Sequence, residues 1–295
     1  MQSLNYPIDQ AAGLRRAGGT TPKVKVIAIT SGKGGVGKTN VAVNLALALA
    51  ARNRQVMLLD ADLGLANVDV LLGLQPAYNL AHVVDGFCSL EEIVIDAAHG
   101  LKVIPAASGI KRMADLTESE RVGIVRAFSD LAVALDTLIV DTAAGISDSV
   151  IRFTQATQQV VVVVCDEPAS ITDAYAMIKV LSRDYGVGRF QVLANMVSGP
   201  REGRLLFGKL ARVADRFLDV NLNYVGAIPN DHCLRAAVQK QQAVLTAYPG
   251  SPASRAFKKL AQLADKWNVP AGPRGHLEFF VERMVGRSAP KGAAA

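Results

Sequence analysis

Cysteine is scarce in this chain and never clustered. The 295 residues hold Cys88, Cys165 and Cys233, far apart and none in a Cys-x-x-Cys pair. That excludes a disulfide framework, fits a reducing compartment, and argues against a zinc or iron–sulfur centre supplied by one chain. Long apolar runs are also missing. The longest strongly apolar runs, such as Val160–Cys165, are far too short to cross a bilayer. The opening MQSLNYPIDQ has no apolar h-region, so a cytoplasmic protein without a secretory signal is expected. Aromatics make up only 5% of the chain and are not interleaved with a Lys/Arg stripe, so no direct contact with nucleic acid is expected. The net charge of +6 is diffuse, and it suits an anionic lipid surface or an acidic partner.

What is abundant is apolar sequence, at 50% of residues against 20% charged, enough for a sizeable core. Strand-like runs lie at Val24–Ile29, Val56–Asp60, Lys102–Pro105, Thr137–Asp141, Val160–Cys165, Phe190–Asn195 and Tyr224–Ile228. Several are continuously apolar, as strands buried on both faces are. Helical patterns alternate with them at Asn40–Arg52, Glu118–Leu135, Ser147–Gln155, Ile171–Tyr185, Arg204–Phe217 and Cys233–Gln241, then Pro252–Trp267. This alternation predicts an α/β fold with a single doubly wound, mostly parallel sheet. The expected organisation is a flexible N-terminal segment at 1–22, the α/β domain at 23–270, an amphipathic helix at 271–287 and a tail at 288–295.

The sharpest motif is Gly32-Lys33-Gly34-Gly35-Val36-Gly37-Lys38-Thr39, between the first strand and the helix opened by Asn40. It fits the G-x-x-x-x-G-K-[ST] phosphate loop. Glycines permit a path that aims successive N–H groups at phosphate oxygens, and the helix N-terminus adds partial positive charge. Lys38 is expected to reach the β- and γ-phosphates, and the Thr39 hydroxyl to ligate Mg²⁺.

A second lysine, Lys33, sets this loop apart, and the form K-G-G-x-G-K-T resembles the deviant Walker A of the MinD/ParA family. The resemblance implies a MinD-like P-loop ATPase of the SIMIBI class that binds ATP with Mg²⁺ and hydrolyses it slowly under partner control. It also implies an ATP-held homodimer in which Lys33 crosses to the partner's nucleotide. Facing triphosphates repel, and a lysine given in trans offsets that. In Asp60-Ala61-Asp62 the resemblance places Asp60 near Mg²⁺ and Asp62 on the attacking water, so the catalytic set is Lys33, Lys38 and Asp62. Asp62 as a helix N-cap is the alternative. Thr137–Asp141 reads as a Walker B strand whose Asp141 holds Mg²⁺ through water, which completes a metal set of Thr39, Asp60 and Asp141. Ala143 stands where the family usually has proline, which predicts a less rigid backbone there. No Asn-Lys-x-Asp guanine signature follows Phe190–Asn195. Asn195, Pro229 and Asp231 are assigned to an adenine pocket, although Pro229-Asn230-Asp231 is also ordinary turn chemistry.

The two ends resemble one branch of that family, the flagellar-number regulators FlhG and FleN. Asp9-Gln10-Ala11-Ala12-Gly13-Leu14-Arg15 is similar to a D-Q-A-x-x-L-R segment that stimulates an FlhF-type GTPase. Leu277, Phe280, Val281, Met284 and Val285 share one helical face, flanked by Arg274, Arg283 and Arg287. Such a helix can lie on an anionic inner-membrane surface or dock on its own domain. The resemblance implies an FlhF-type GTPase, a FleQ/FlrA-type transcription activator and flagellar switch-ring proteins as partners, and placement at the membrane and the cell pole. Rival readings are a MinD-like division regulator, a ParA-like partition ATPase, and a nucleotide-held interaction module with incidental hydrolysis.

Overall fold

The computed structural model describes residues 23–62, 67–105, 117–131, 135–269, 280–282 and 284. The Asp9–Arg15 segment, Leu277, Val285 and the 288–295 tail lie outside them. Strand β1 (Lys25–Ser31) is buried along its whole length and lies between β5 (Thr137–Ala144) and β6 (Gln159–Val164). On one side the sheet continues through β2 (Val56–Ala61), β4 (Lys102–Ile104) and β3 (Ile95–Asp96), and on the other through β7 (Arg189–Val197) and β8 (Asn221–Pro229). The order among the described residues is β3-β4-β2-β5-β1-β6-β7-β8. All neighbours are parallel except β3, which runs antiparallel to β4. The apolar runs thus do form a doubly wound sheet. The addition is β3, whose two residues carry no readable period.

Alternate residues of the central strands feed opposite layers, as the two-residue period requires. Ile27, Ile29, Leu58 and Ile139 pack under α1 (Lys38–Ala50) and Phe257 and Leu260 of α11 (Pro252–Asp265), with α9 (His232–Gln239) and α10 (Val244–Ala247) beside them. Val26, Met57, Leu138 and Val140 face the other way, toward Ile124 and Phe128 of α5 (Glu118–Leu131) and Phe153 of α6 (Asp148–Ala156). On that same side α7 (Pro168–Arg183) and α8 (Pro200–Phe217) cover β6 and β7. Both begin at a proline in the first turn, where a missing N–H costs nothing. That is why they start before the apolar period at Ile171 and Arg204 that marks them in sequence. Short helices α2 (Val68–Leu72), α3 (Leu80–Val84) and α4 (Leu90–Ile93) connect β2 to β3.

The chain's last described turn completes this second layer. Phe280, Val281 and Met284 are 1%, 0% and 2% exposed, packed among Val24, Val26, Met57, Phe128 and Phe153. Of the two placements the amphipathic pattern allows, these residues take the one on their own domain. Phe280→Ala is expected to lower the free energy of urea unfolding by about 3 kcal/mol, as for large-to-small core changes. A change under about 0.5 kcal/mol, typical of surface sites, would mean the helix does not stay docked in solution.

Candidate functional site: a phosphate loop over two buried carboxylates

The phosphate loop leaves the carboxyl end of β1, where ligand sites of doubly wound sheets sit. Its glycines answer specific demands. Gly35 and Gly37 adopt φ of +80° and +87°, the left-handed region that suits glycine. A Cβ on Gly32 would lie 2.1 Å from the Asp173 carbonyl carbon, so only glycine lets the loop lie against α7. Asn195 of β7 donates from Nδ2 to the Val36 carbonyl at 2.7 Å and braces the loop from the neighbouring strand. The Ser31 hydroxyl donates to the Lys33 carbonyl at 2.6 Å. Lys38 and Thr39 open α1 with no acidic residue in the first turn, so the helix N-terminus keeps its positive character.

Below the loop, β2 and β5 pair with Asp60 directly beside Asp141, both fully buried. Burial pushes the Asp60 carboxyl up to about 6, against hydrogen bonds from the backbone N–H groups of Val68, Asp62 and Asn67. Those bonds, at 3.1 to 3.2 Å, hold Asp62 and the Asn67–Val68 helix start against the carboxylate. Asp141 is pushed further, to about 8, by burial and then by the Asp60 charge, while the Thr39 hydroxyl and Lys38 pull it down. Neither Asp141 carboxylate oxygen has a hydrogen-bond partner of normal geometry. An orphaned buried carboxylate next to a helix-start threonine is a donor set suited to Mg²⁺, which takes one or two protein oxygens and keeps several waters. Lys38 is itself buried, which lowers its pKa, while Asp141 and Asp62 hold it up.

Asp62 sits half-buried at the rim, and Asn67 donates to its Oδ2 at 3.3 Å, which fixes the carboxylate's direction. Asp62 does not stand at the N-cap of the helix that follows; Asn67 does. Lys33 does not hang free: its ammonium bonds the Glu167 carboxylate in the same chain, with 38% and 56% of the two side chains exposed. At the ends of β7 and β8, Pro229 pairs with Val197, and buried Asp231 caps α9. Burial opposes charge on Asp231. Hydrogen bonds from the Ala253 and Cys233 N–H groups, both 2.9 Å, outweigh it and lower the pKa. Asp231 and the Nδ2 group of Asn195 therefore already carry structural bonds, the turn chemistry that the sequence left open beside an adenine role. Strand β5 continues through Ala143, but its register with β1 slips there: Asp141 pairs with Ile29 and Ala144 with Ser31, so β5 holds one extra residue between them. Asn67 and Glu167 are the participants that motif reading missed. Glu167 lies 134 positions from Lys33, and no local pattern announces such a pairing.

The ParA family model, described as NUBPL iron-transfer P-loop NTPase, matches residues 23–264. The antiactivator FleN of Pseudomonas aeruginosa is 61% identical over 90% of this chain and 95% of its own length. The flagellum site-determining protein YlxH of Helicobacter pylori is 37% identical over 88% and 90%. Among solved structures, the MinC:MinD cell division complex of Aquifex aeolicus superposes with a TM-score of 0.65 at 25% identity, covering 84% of this chain and 98% of that one. The septum site-determining protein MinD of Pyrococcus horikoshii, complexed with Mg-ADP, gives 0.62 at 25% identity, covering 82% and 96%.

Asp141 makes nucleotide-free stability depend on pH in a definite direction. Its folded pKa of about 8 lies above the usual 3.8, so the folded state holds the extra proton between those values. The neutral form's advantage is complete below the unfolded pKa and is lost as pH rises through about 8. Asp60 adds a similar loss that ends near pH 6. Between pH 6 and 8 the nucleotide-free protein should lose on the order of 2 kcal/mol, since each full proton contributes about 1.4 kcal/mol per pH unit. Asp141→Asn should flatten this slope in urea titrations and abolish the stabilisation given by Mg²⁺ with nucleotide. An unchanged slope would show that Asp141 is ionised in the free protein.

Proposed function

The chain belongs to the ParA family of P-loop NTPases, and we propose that it is an ATP-held homodimeric switch that governs flagellar number and placement. The observation that carries the flagellar part is its 61% identity over 90% of the chain to an antiactivator FleN. The phosphate loop with its second lysine and the orphaned carboxylate beneath it support the ATPase part.

In this reading the N–H groups at the start of α1 and the Lys38 ammonium hold the β- and γ-phosphates. Thr39, Asp60 and Asp141 would hold Mg²⁺, and Asp60 also ties Asp62 to the end of β2. Bound Mg²⁺ supplies charge neutralisation at the phosphates. Asp62, steadied by Asn67, orients the water that converts ATP to ADP and phosphate. Lys33 leaves Glu167 and crosses to the neighbour's phosphates. Exposed ion pairs such as Lys33–Glu167 contribute little to stability. Releasing two of them per dimer therefore costs little beside the attraction of a desolvated triphosphate. Asn195, Pro229 and Asp231 border the adenine.

The C-terminal helix attaches the dimer to anionic inner membrane, and it must first leave its groove. Three fully buried apolar side chains hold it there at about 2 kcal/mol each. A bilayer offers the same apolar burial plus attraction for the basic flanks, and two helices in a dimer add avidity. The partners proposed are an FlhF-type GTPase, engaged by Asp9–Arg15, a FleQ/FlrA-type activator and the flagellar switch ring. Two relatives, an antiactivator and a flagellum site-determining protein, support partners of the flagellar system.

With saturating ATP and Mg²⁺, Asp62→Ala should elute from gel filtration as a stable dimer, and Lys33→Ala as a monomer. An Asp62→Ala chain that stays monomeric sinks the dimer switch. Removing residues 1–22 should leave basal phosphate release intact and abolish stimulation of the FlhF-type GTPase. Undiminished stimulation would reject the role given to Asp9–Arg15.

A further inference from the structure

β8 ends the sheet, and no strand pairs with its outer side among the described residues. A cavity of about 480 Å³ lies along that side, lined by β8, the start of α8 and the first two turns of α11. α8 and α11 cover opposite faces of the sheet. Helices on opposite faces can share a cavity only beyond the edge. The volume falls in the range of real binding pockets.

Three observations say what kind of occupant fits. The first is charge. Arg204, Arg255 and Lys259 line the cavity, and among the described residues no aspartate or glutamate lines it and no acid pairs with any of the three. The Gly250 carbonyl accepts from Arg255 and steadies its guanidinium. The second is bare backbone. Tyr224 pairs with Val192 and Gly226 with Leu193, so Val225 is an extra residue that bulges β8. Gly226 there has φ of +133°, and no atom lies within 4 Å of where its Cβ would be. Glycine at a bulge with open space beside it marks a strand that another backbone can approach closely. The third is an apolar floor that includes Leu193, Ile228 and Leu260. Lysine and a bulge alone would serve to blunt a sheet edge against aggregation. That purpose needs neither a concave floor nor converging cations from two helices.

We propose that this edge cavity docks an extended acidic segment of a partner protein. The segment's main chain lies along the Tyr224–Ala227 stretch of β8, one aliphatic side chain rests on the floor, and flanking carboxylates meet Arg204, Arg255 and Lys259. The main-chain component distinguishes this mode from simple anion binding, as in other strand-addition interfaces. No phosphate-loop residue lines the cavity, but Pro229 does, at the border proposed for the adenine, so binding is measured with the nucleotide site filled.

The test uses the full chain saturated with ADP and Mg²⁺, and a fluorescein-labelled octapeptide alternating glutamate with leucine and valine. Fluorescence polarisation should show saturable binding that weakens about ten-fold between low and moderate salt, as screened ion pairs do. Arg255→Glu and Lys259→Glu, both exposed on α11, should each weaken it about five-fold, a typical loss for a reversed rim charge. A lysine-for-glutamate version of the peptide should regain binding to the double reversal. Circular dichroism and ADP affinity check that the variants are folded. Absence of saturable binding to the wild-type chain overturns the proposal, as does binding indifferent to both reversals. So does full displacement by citrate at concentrations where the peptide itself displaces, because that would leave no part for the backbone.

Discussion

Two carboxylates buried side by side at the ends of β2 and β5 set the terms for what surrounds them. Like charges in a dry interior cannot both ionise without compensation. Asp60 finds part of it in three backbone N–H groups, and so it ties Asp62 and the Asn67–Val68 helix start to the end of β2. Asp141 finds no hydrogen bond, only the half-measures of Thr39 and Lys38. The free protein therefore holds an electrostatic deficit at the point where the phosphate loop delivers cationic character from above. In the proposed function, a dication with its phosphates would remove that deficit from both directions. On that proposal, occupancy is coupled to the stability of β2 and β5.

The proposed switch moves two other parts of the chain, and the structure holds them with very different strength. Lys33 rests on Glu167 through an exposed ion pair, which thermal motion and salt readily break. The C-terminal turn rests on three almost fully buried side chains, which nothing short of an equivalent apolar surface can replace. A switch built from these parts moves its lysine cheaply and its helix reluctantly. Nucleotide state can suffice for the first. The second calls for a competing surface, which is consistent with the membrane role proposed for it.

Much of this was legible in advance, and for identifiable reasons. Continuous apolar runs such as Val160–Val164 can be satisfied only by burial on both faces, which forces a covered parallel sheet. The glycine spacing of the phosphate loop is equally dictated, since Gly32 abuts the α7 backbone and Gly35 and Gly37 need left-handed dihedrals. Where periodicity is too short to register, reading failed: β3 has two residues and α4 four. Helix starts at Pro168 and Pro200 escaped the apolar period because their first turns bury only small residues, Ser170 and Gly203, which carry no apolar signal.

The sequence by itself determined the α/β alternation, the phosphate-binding loop and the identity of the acids near it, because each is enforced by local chemistry or short spacing. Tertiary structure alone decided which distant groups meet. It set Asp60 beside Asp141 through strand register, gave Lys33 to Glu167, gave the Asn195 amide to the phosphate loop, and laid Phe280 and Met284 into the groove by α5. It also left a basic cavity along the open edge of β8. Such pairings depend on how strands order and helices stack across the whole chain, and no window of sequence contains that information.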